Sequence, residues 1–457
     1  MASLVLQFPP CWASPNLFIC DVGLIEKRST LGFRYHLVLI RVVNQMRLCR
    51  NWSSTLGVAT DFVWLTLATG SSMTFTFLFW VLVSGRVSPE VLGMTAGYLA
   101  LSIYVSSIGS LGLQAGIVRF LHRFENRSRT MNSFLLTSLF ASATFGLLLS
   151  LTIGLLGSGE DVGLTDVRQI GLFLLVTSSG SLNLLIDSAL LSGGKSSLVA
   201  VRNALAGATR LLLLFPVGSS VEGIVSAWLI GSAVSLCIGY RIVGRTREGN
   251  AANLVPYHDS NVRDVLRFSV IGAIGSFFWG IPQGFFPYFA SSFIGPEKGA
   301  FFYIAFTVAQ IPVSLIQIMS VSSLKYVSGR EIAPKGFFLR ILAAEQCTSL
   351  VSLLVVLLFG TNILRIFGGI YSQESFVPLL LLVGASFFLS VISVSATVLL
   401  IRESIWKVNM VYIPASFAVI VGGLLLMDDF GPAGISLGFV IGYGLGSVIS
   451  AYLVIKK

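Results

Sequence analysis

The sequence predicts an all-α polytopic membrane protein with twelve transmembrane helices in two halves of six. Three observations lead there: a composition suited to lipid, twelve apolar runs of spanning length, and basic residues confined to alternate loops. Of 457 residues, 54% are hydrophobic and only 11% charged, with a mean hydropathy of +0.86. A soluble domain carries about a quarter charged residues to cover its surface. The 46 glycines and 34 phenylalanines suit membrane helices that approach each other closely.

A run of about 20 apolar residues crosses the hydrocarbon core. Such runs fall at roughly 59–83, 92–116, 133–156, 169–192, 198–217, 222–243, 266–293, 298–323, 336–358, 375–400, 407–427 and 432–455. Lysine and arginine then set orientation. One set of loops holds Arg119, Arg123, Arg127 and Arg129, then Lys195 and Arg202, then Arg241, Arg245, Arg247, Arg263 and Arg267. The same side continues with Lys325, Arg330, Lys335 and Arg340, then Arg402 and Lys407, and ends at Lys456 and Lys457. The alternate loops hold only Arg86, Arg168, Lys298 and Arg365, and they carry Glu160, Asp161, Asp428 and Asp429. Both termini are therefore expected in the cytoplasm. The net charge of +10 is topological, which removes nucleic acid as a partner.

Residues 1–55 stand apart as a cytoplasmic extension, followed by a first half at 56–245, a linker at 246–265 and a second half at 266–457. No signal peptide is expected in the extension, because Asp21, Glu26 and Lys27 interrupt its apolar pieces. Met46 as the true initiator would leave a short basic tail before the first span; an interfacial amphipathic helix is the alternative. The sequons at Asn51 and Asn126 fall on the cytoplasmic side. The five cysteines have no paired spacing and the three histidines lie outside the apolar runs, so neither metal nor cofactor is expected. GGKS at 193–196 imitates a phosphate-binding loop, but Ala189 stands where that motif needs glycine and no strand precedes it.

The two halves echo each other. VSGRVSPEVLGMTAGYLALS after the first span and SSFIGPEKGAFFYIAFTVAQ after the seventh each place Pro-Glu at the turn (Pro89–Glu90, Pro296–Glu297) with a glycine close behind. Six spans per half make such a repeat parallel, with its axis along the membrane normal and cargo held between the halves.

Three stretches of the chain stand out: LGMTAGYLAL with GSLGLQAGIVRF, LLIDSALLSGGKSSLVAVRNALAGATRLLLLFP, and AFTVAQIPVSLIQIMSVSSLKYVS. Three more follow them: ILRIFGGIYSQESFVPLLLLVGASFFLS, IRESIWKVN and FGPAGISLGFVIGYGLGSV. Through these segments, over about residues 55–457, the chain resembles the polysaccharide (O-antigen type) flippases of the multidrug/oligosaccharidyl-lipid/polysaccharide exporter superfamily. The resemblance implies two six-helix bundles around a central cavity that opens alternately to each face. The implied cargo is a lipid-linked oligosaccharide, a prenyl-pyrophosphate glycan that glycosyltransferases build and a polymerase extends. Residues 1–55 lie outside the pattern.

Ionisable groups inside the bilayer are costly and default to functional candidates. Arg210 lies about 18 Å into the fifth span, where its planar fork of donors suits a pyrophosphate. Its structural alternative is an ion pair with Asp187 or Glu345, the latter joining the two halves as a latch. Glu345, about 14 Å into the ninth span, and Asp187, about 8 Å into the fourth, are candidates to bind a coupling ion. Asp187 alternatively pairs with Arg202 across the short turn. Asp61 reads as a rim residue or helix cap. Among uncharged polar groups, Gln283, Gln310 and Gln317 are assigned to substrate binding or gating, with Gln114 and Asn183 as further liners. Gln310 and Gln317 share a helix face with Ser314. Gly434, Gly438, Gly442 and Gly446 read as a packing stripe. Pro282, Pro287 and Pro312 are sites of kinks.

Three functions compete on the sequence. A glycan flippase leads: the resemblance implies the glycan, and isolated acids with a lone Arg210 suit an anionic cargo. A multidrug or metabolite antiporter would carry clustered cavity carboxylates. A membrane glycosyltransferase or polymerase would carry a large outer loop with catalytic groups, and the longest here are about 16 residues.

Overall fold

Lipid offers the backbone no hydrogen-bond partner, so apolar runs of this length fold as helices that satisfy themselves. A computed structural model of the chain describes residue 64 and residues 66–121, 124, 127–155, 166–216, 219–245, 260–328, 336–402 and 404–456. The extension at 1–55, Met46, Asp61, both sequons and most of the 246–265 linker lie outside the described residues. Every element among the described residues is helical, and nine of these helices are long and apolar enough to cross a membrane.

In chain order, the first group is α1 (Thr66–Ser84), α2 (Pro89–Gly109), α3 (Leu113–Phe120), α4 (Arg127–Leu155), α5 (Val167–Ser192), α6 (Ser196–Leu213) and α7 (Val221–Arg245). The second is α8 (Ser260–Gly280), α9 (Phe286–Phe293), α10 (Pro296–Ser328), α11 (Phe337–Arg365), α12 (Gly369–Glu374), α13 (Phe376–Ile401) and α14 (Ile405–Ile455). In the first group α4, α6, α7 and α2 gather on α5 or its neighbours, and in the second α13 lies between α10, α11 and α14. Helix α2 crosses over to pack on α8, α9 and α10, and α3 packs on α8.

The structure refines three of the expected spans. The fifth ends early, at Leu213, where the Arg86 guanidinium caps the Leu214 carbonyl at 2.8 Å and lies over the Phe215 ring. The seventh is not continuous: Ile281–Phe285 forms one π-helical turn between α8 and α9. Pro282 opens that turn, removing a donor from the ladder and loosening it. The last two apolar runs form one 51-residue element that reverses at Gly431, whose φ of 54° favours glycine.

That reversal gives the glycine stripe its purpose. The two arms of α14 close on each other through Gly434 against the Leu426 carbonyl, Gly438 against Val419 and Gly423, and Gly442 against Ala415 and Val419. A side chain at Gly438 would strike backbone on the facing arm. Gly438→Leu should therefore cost roughly 1–3 kcal/mol by overpacking, seen as a lower melting temperature in detergent. An unchanged melt would mean that the arms do not pack this way.

The Pro-Glu repeat also acquires a structural reading. Pro89 and Pro296 are each the first residue of a long helix, with Glu90 and Glu297 in the first turn beside the positive helix end. The two repeats meet: the α-carbon of Gly93 lies so close to the Pro296 carbonyl that no Cβ fits between them. Ser291 on α9 donates to the Gly93 carbonyl at 3.2 Å, and Trp80 meets Tyr303 edge-on at 4.9 Å. These contacts join the two groups at the N-terminal ends of α2 and α10.

Candidate functional site

The sequence candidates fall into three places. The first is a polar stripe inside the first group, on facing sides of α5, α6 and α7. Arg202 and Arg210 are eight residues apart on α6, hence on one face and about 12 Å apart along it. Opposite them on α7 stand Gly239 and Gly231, also eight apart; a side chain at Gly239 would meet the Arg202 guanidinium, and one at Gly231 the Arg210 stem. Each arginine is thus seated by a glycine on the antiparallel neighbour.

Arg210 lies 14 residues beyond Ser196, about 21 Å along α6. Its guanidinium stacks 3.9 Å over the Trp228 ring and donates through Nη2 to Ser232 Oγ at 3.1 Å. Its Nε is buried without a partner, and it makes no salt bridge among the described residues. The aromatic face supplies a weak attraction in place of a carboxylate. Arg202 is only 1% exposed; its Nη2 donates to Asp187 and to the Asn183 carbonyl, while Nε and Nη1 have no partner. Asn183 donates to the Ser232 carbonyl at 3.0 Å, so a continuous polar line joins Asp187, Arg202, Asn183, Ser232 and Arg210. Each buried polar group left unmade costs about 1–3 kcal/mol, and this stripe holds four such atoms: Arg202 Nε and Nη1, Arg210 Nε and the Asn183 Oδ1 acceptor.

The pairing of Asp187 with Arg202 across the short turn is therefore present. The structure does not bring Arg210 to Glu345 or to Asp187. Glu345 lies in the second group, fully buried on α11, where it accepts from Ser320 Oγ at 2.7 Å. Its second oxygen and the Ser349 hydroxyl, one turn further along the helix, have no partner.

The third place is the broken seventh span. Gln283 sits in the π-helical turn, donates to the Tyr443 hydroxyl at 2.8 Å and accepts from Gln310 at 2.8 Å. One turn away, Trp279 lies 4.5 Å from Tyr412 and stacks on Tyr443 at 5.6 Å. The amides and rings tie the π turn to α10 and to both arms of α14. Gln317 is half-buried further along α10, and Gln114 is buried on α3, donating to Ser110.

Several neighbours of these groups escape sequence inspection. Trp228, Ser232, Tyr443 and Trp279 become partners only through folding. Thr66, Thr69, Ser71, Ser72, Thr74 and Thr76 make a hydroxyl-rich stretch of α1, every one at least partly exposed; their density in one apolar run was a readable signal. Helix α10 is buried from Ala300 to Phe306, but Ile311 and Leu315 are 41% and 42% exposed. Away from these polar groups, a cavity of about 620 Å³ lies between α8 and α14, lined by Ile271, Ile405, Trp406, Met410, Leu453, Ser404 and Lys407.

A family described as polysaccharide biosynthesis protein matches residues 58–324. No curated protein sequence matches the chain. Among solved structures, it is similar to an inward-facing multidrug resistance MATE family transporter of the MOP superfamily, at 14% identity over 86% of this chain and 94% of that one, with a TM-score of 0.63. An outward-facing transporter of the same description aligns at 13% identity over 87% and 94%, with a TM-score of 0.54. MATE in the straight conformation aligns at 14% identity over 87% and 95%, with a TM-score of 0.57. At these identities the likeness is one of fold.

Proposed function

This chain belongs to the polysaccharide biosynthesis protein family, and from that premise we propose that it carries a lipid-linked oligosaccharide from the cytoplasmic to the outer leaflet of the cell membrane. The observation that carries the proposal is Arg210: a guanidinium inside the bilayer that stacks on Trp228 and makes no salt bridge among the described residues. Such a group is costly unless an anion visits it, and the pyrophosphate of a prenyl-linked glycan is such an anion. The chain acts as a carrier, with no covalent step.

In this reading the helices make twelve crossings, counting α6, the α8–α9 run and each arm of α14 as spans. Residues 56–245 and 266–457 are two six-helix bundles around a central cavity, and both termini are cytoplasmic. The end joined at Gly93, Pro296, Trp80 and Tyr303 then faces outward, and the partly exposed stretches of α1 and α10 line an opening towards the cytoplasm. The hydroxyls of α1 with Gln310 and Gln317 offer hydrogen bonds to sugar hydroxyls as the bundles rock between the two faces. Gln283, in the loosened turn, is a gating residue. Glu345 is the group assigned to a coupling ion, since its buried carboxylate has an unfilled oxygen. The apolar cavity beside Lys407 suits part of a prenyl chain.

The test is transport of a fluorescent prenyl-pyrophosphate oligosaccharide in liposomes containing the purified protein. Outer-leaflet appearance well above protein-free vesicles is expected; a rate equal to empty vesicles overturns the proposal. The fold likeness to multidrug transporters keeps a second reading, an ion-coupled multidrug or metabolite antiporter. Uptake of an organic cation by the same liposomes, without glycan movement, would establish that reading instead.

A further inference from the structure

The cavity between α8 and α14 has walls of Ile271 on α8, Ile405, Trp406 and Met410 on the first arm of α14, and Leu453 on the second arm; its volume is about 620 Å³. Beside it Asn409, only 2% exposed, donates to the Ile271 carbonyl at 3.2 Å and pins α14 to α8. The depth of the cavity follows from the chain. Ile405, Trp406 and Lys407 form the first turn of α14, and Leu453 stands three residues before Lys456. Both places are ends of apolar runs, so the cavity opens where hydrocarbon meets headgroups. Trp406, at 55% exposure, is the residue type that favours that level.

The rim is basic. Lys407 lines the cavity, is half-buried and makes no ion pair among the described residues. Arg402 reaches across to donate to the Val454 carbonyl at 3.0 Å, next to Leu453, and remains exposed. Lys456 is exposed one turn further, over the Tyr452 ring at 5.4 Å. The one acid of IRESIWKVN, Glu403, lies outside the described residues, and even counting it these four side chains leave a net positive charge.

We propose that an anionic phospholipid binds here, one acyl chain filling the apolar cavity and its phosphate held by Lys407 with Arg402 and Lys456 at the rim. Charge complementarity selects this occupant. A zwitterionic phospholipid offers the same chain but no net charge to meet three cations, whereas basic clusters at the membrane surface draw anionic lipids. The Lys407 stem lies along the apolar wall while its ammonium stays at headgroup level. The chain bears on the part of α8 that leads into the π turn, since Ile281 follows Ile271 by ten residues, about 15 Å along the helix. The lipid is a resident ligand, and its binding does not depend on the cargo assigned above. A prenyl chain entering the same cavity would have to displace it.

The test uses full-length protein in phosphatidylcholine nanodiscs, titrated with lipids whose brominated acyl chains quench nearby indoles. The Trp406 signal is the difference between the parent and Trp406→Phe. Brominated phosphatidylglycerol is expected to quench that signal at about fivefold lower mole fraction than brominated phosphatidylcholine, the equivalent of about 1 kcal/mol for one base near the surface. Lys407→Gln should lose most of this preference and Lys407→Arg should keep it, both with a normal melt because the side chain is at the rim. Equal quenching by the two lipids in the parent overturns the site, as does a preference unchanged in Lys407→Gln. Relief of quenching by polyprenyl pyrophosphate, with no preference for phosphatidylglycerol, assigns the cavity to the prenyl chain and overturns the phospholipid.

Discussion

Arg210→Gln is expected to lower glycan transport by about tenfold to a hundredfold while leaving the protein folded and inserted. Glutamine keeps one donor near Ser232 but loses the charge and the planar fork. Hydrogen bonds to charged groups contribute about 1.5–3 kcal/mol, which sets that range. The substitution removes a buried guanidinium with an unfilled Nε and no salt-bridge partner among the described residues, so the melting temperature should hold or rise. That combination separates a ligand role from a structural one: a structural arginine would lower melting and transport together. Lysine should rescue poorly, because a point charge neither stacks on Trp228 as the guanidinium does nor offers two parallel donors. Full transport by Arg210→Gln would remove the headgroup assignment.

Gly93→Val is expected to reduce transport by more than tenfold through a different route. Valine at this position would drive its Cβ into the Pro296 carbonyl, and backbone on both sides leaves nothing flexible to give way. Helix α2 must then stand off from α10 and from Ser291. The cost of overpacking, about 1–3 kcal/mol, falls on the one arrangement that needs this approach. Fold is retained because Phe79, Trp80 and Leu92 belong to a core that extends well beyond the contact. Spin labels on the exposed Glu90 and Lys298 should move apart relative to the parent distance. An unmoved distance distribution with normal transport would show that close approach at Gly93 is dispensable.

The two predictions draw on different kinds of legibility. Arg210 was visible in the sequence because a charge within an apolar run stands out against its cost. Its environment was not: Trp228 and Ser232 are ordinary residues of the next helix, and only the antiparallel register of α6 and α7 brings them under the guanidinium. Gly93 was visible as part of the Pro-Glu repeat, yet its neighbour Pro296 is two hundred residues away. Likewise Gln283 and Gln310 were read as separate liners, and folding joins them through one hydrogen bond. The proposed latch between Arg210 and Glu345 fits the rule that buried charges seek partners, but the two helices belong to different groups. The structure gives Glu345 a serine instead.

By itself the sequence determined the environment, the helical class and the alternation of basic loops. These follow from solvation, which acts residue by residue: apolar runs favour lipid, backbone in lipid must bond to itself, and lysine and arginine favour one side. It offered the Asp187–Arg202 pair as one of two readings of Asp187, and the fold across the short turn decided for it. Only the tertiary structure decided which glycine seats which arginine, where the seventh span loosens, and where α2 meets α10. Those depend on contacts between residues far apart in sequence, made at atomic distance, where a single Cβ decides whether two helices meet.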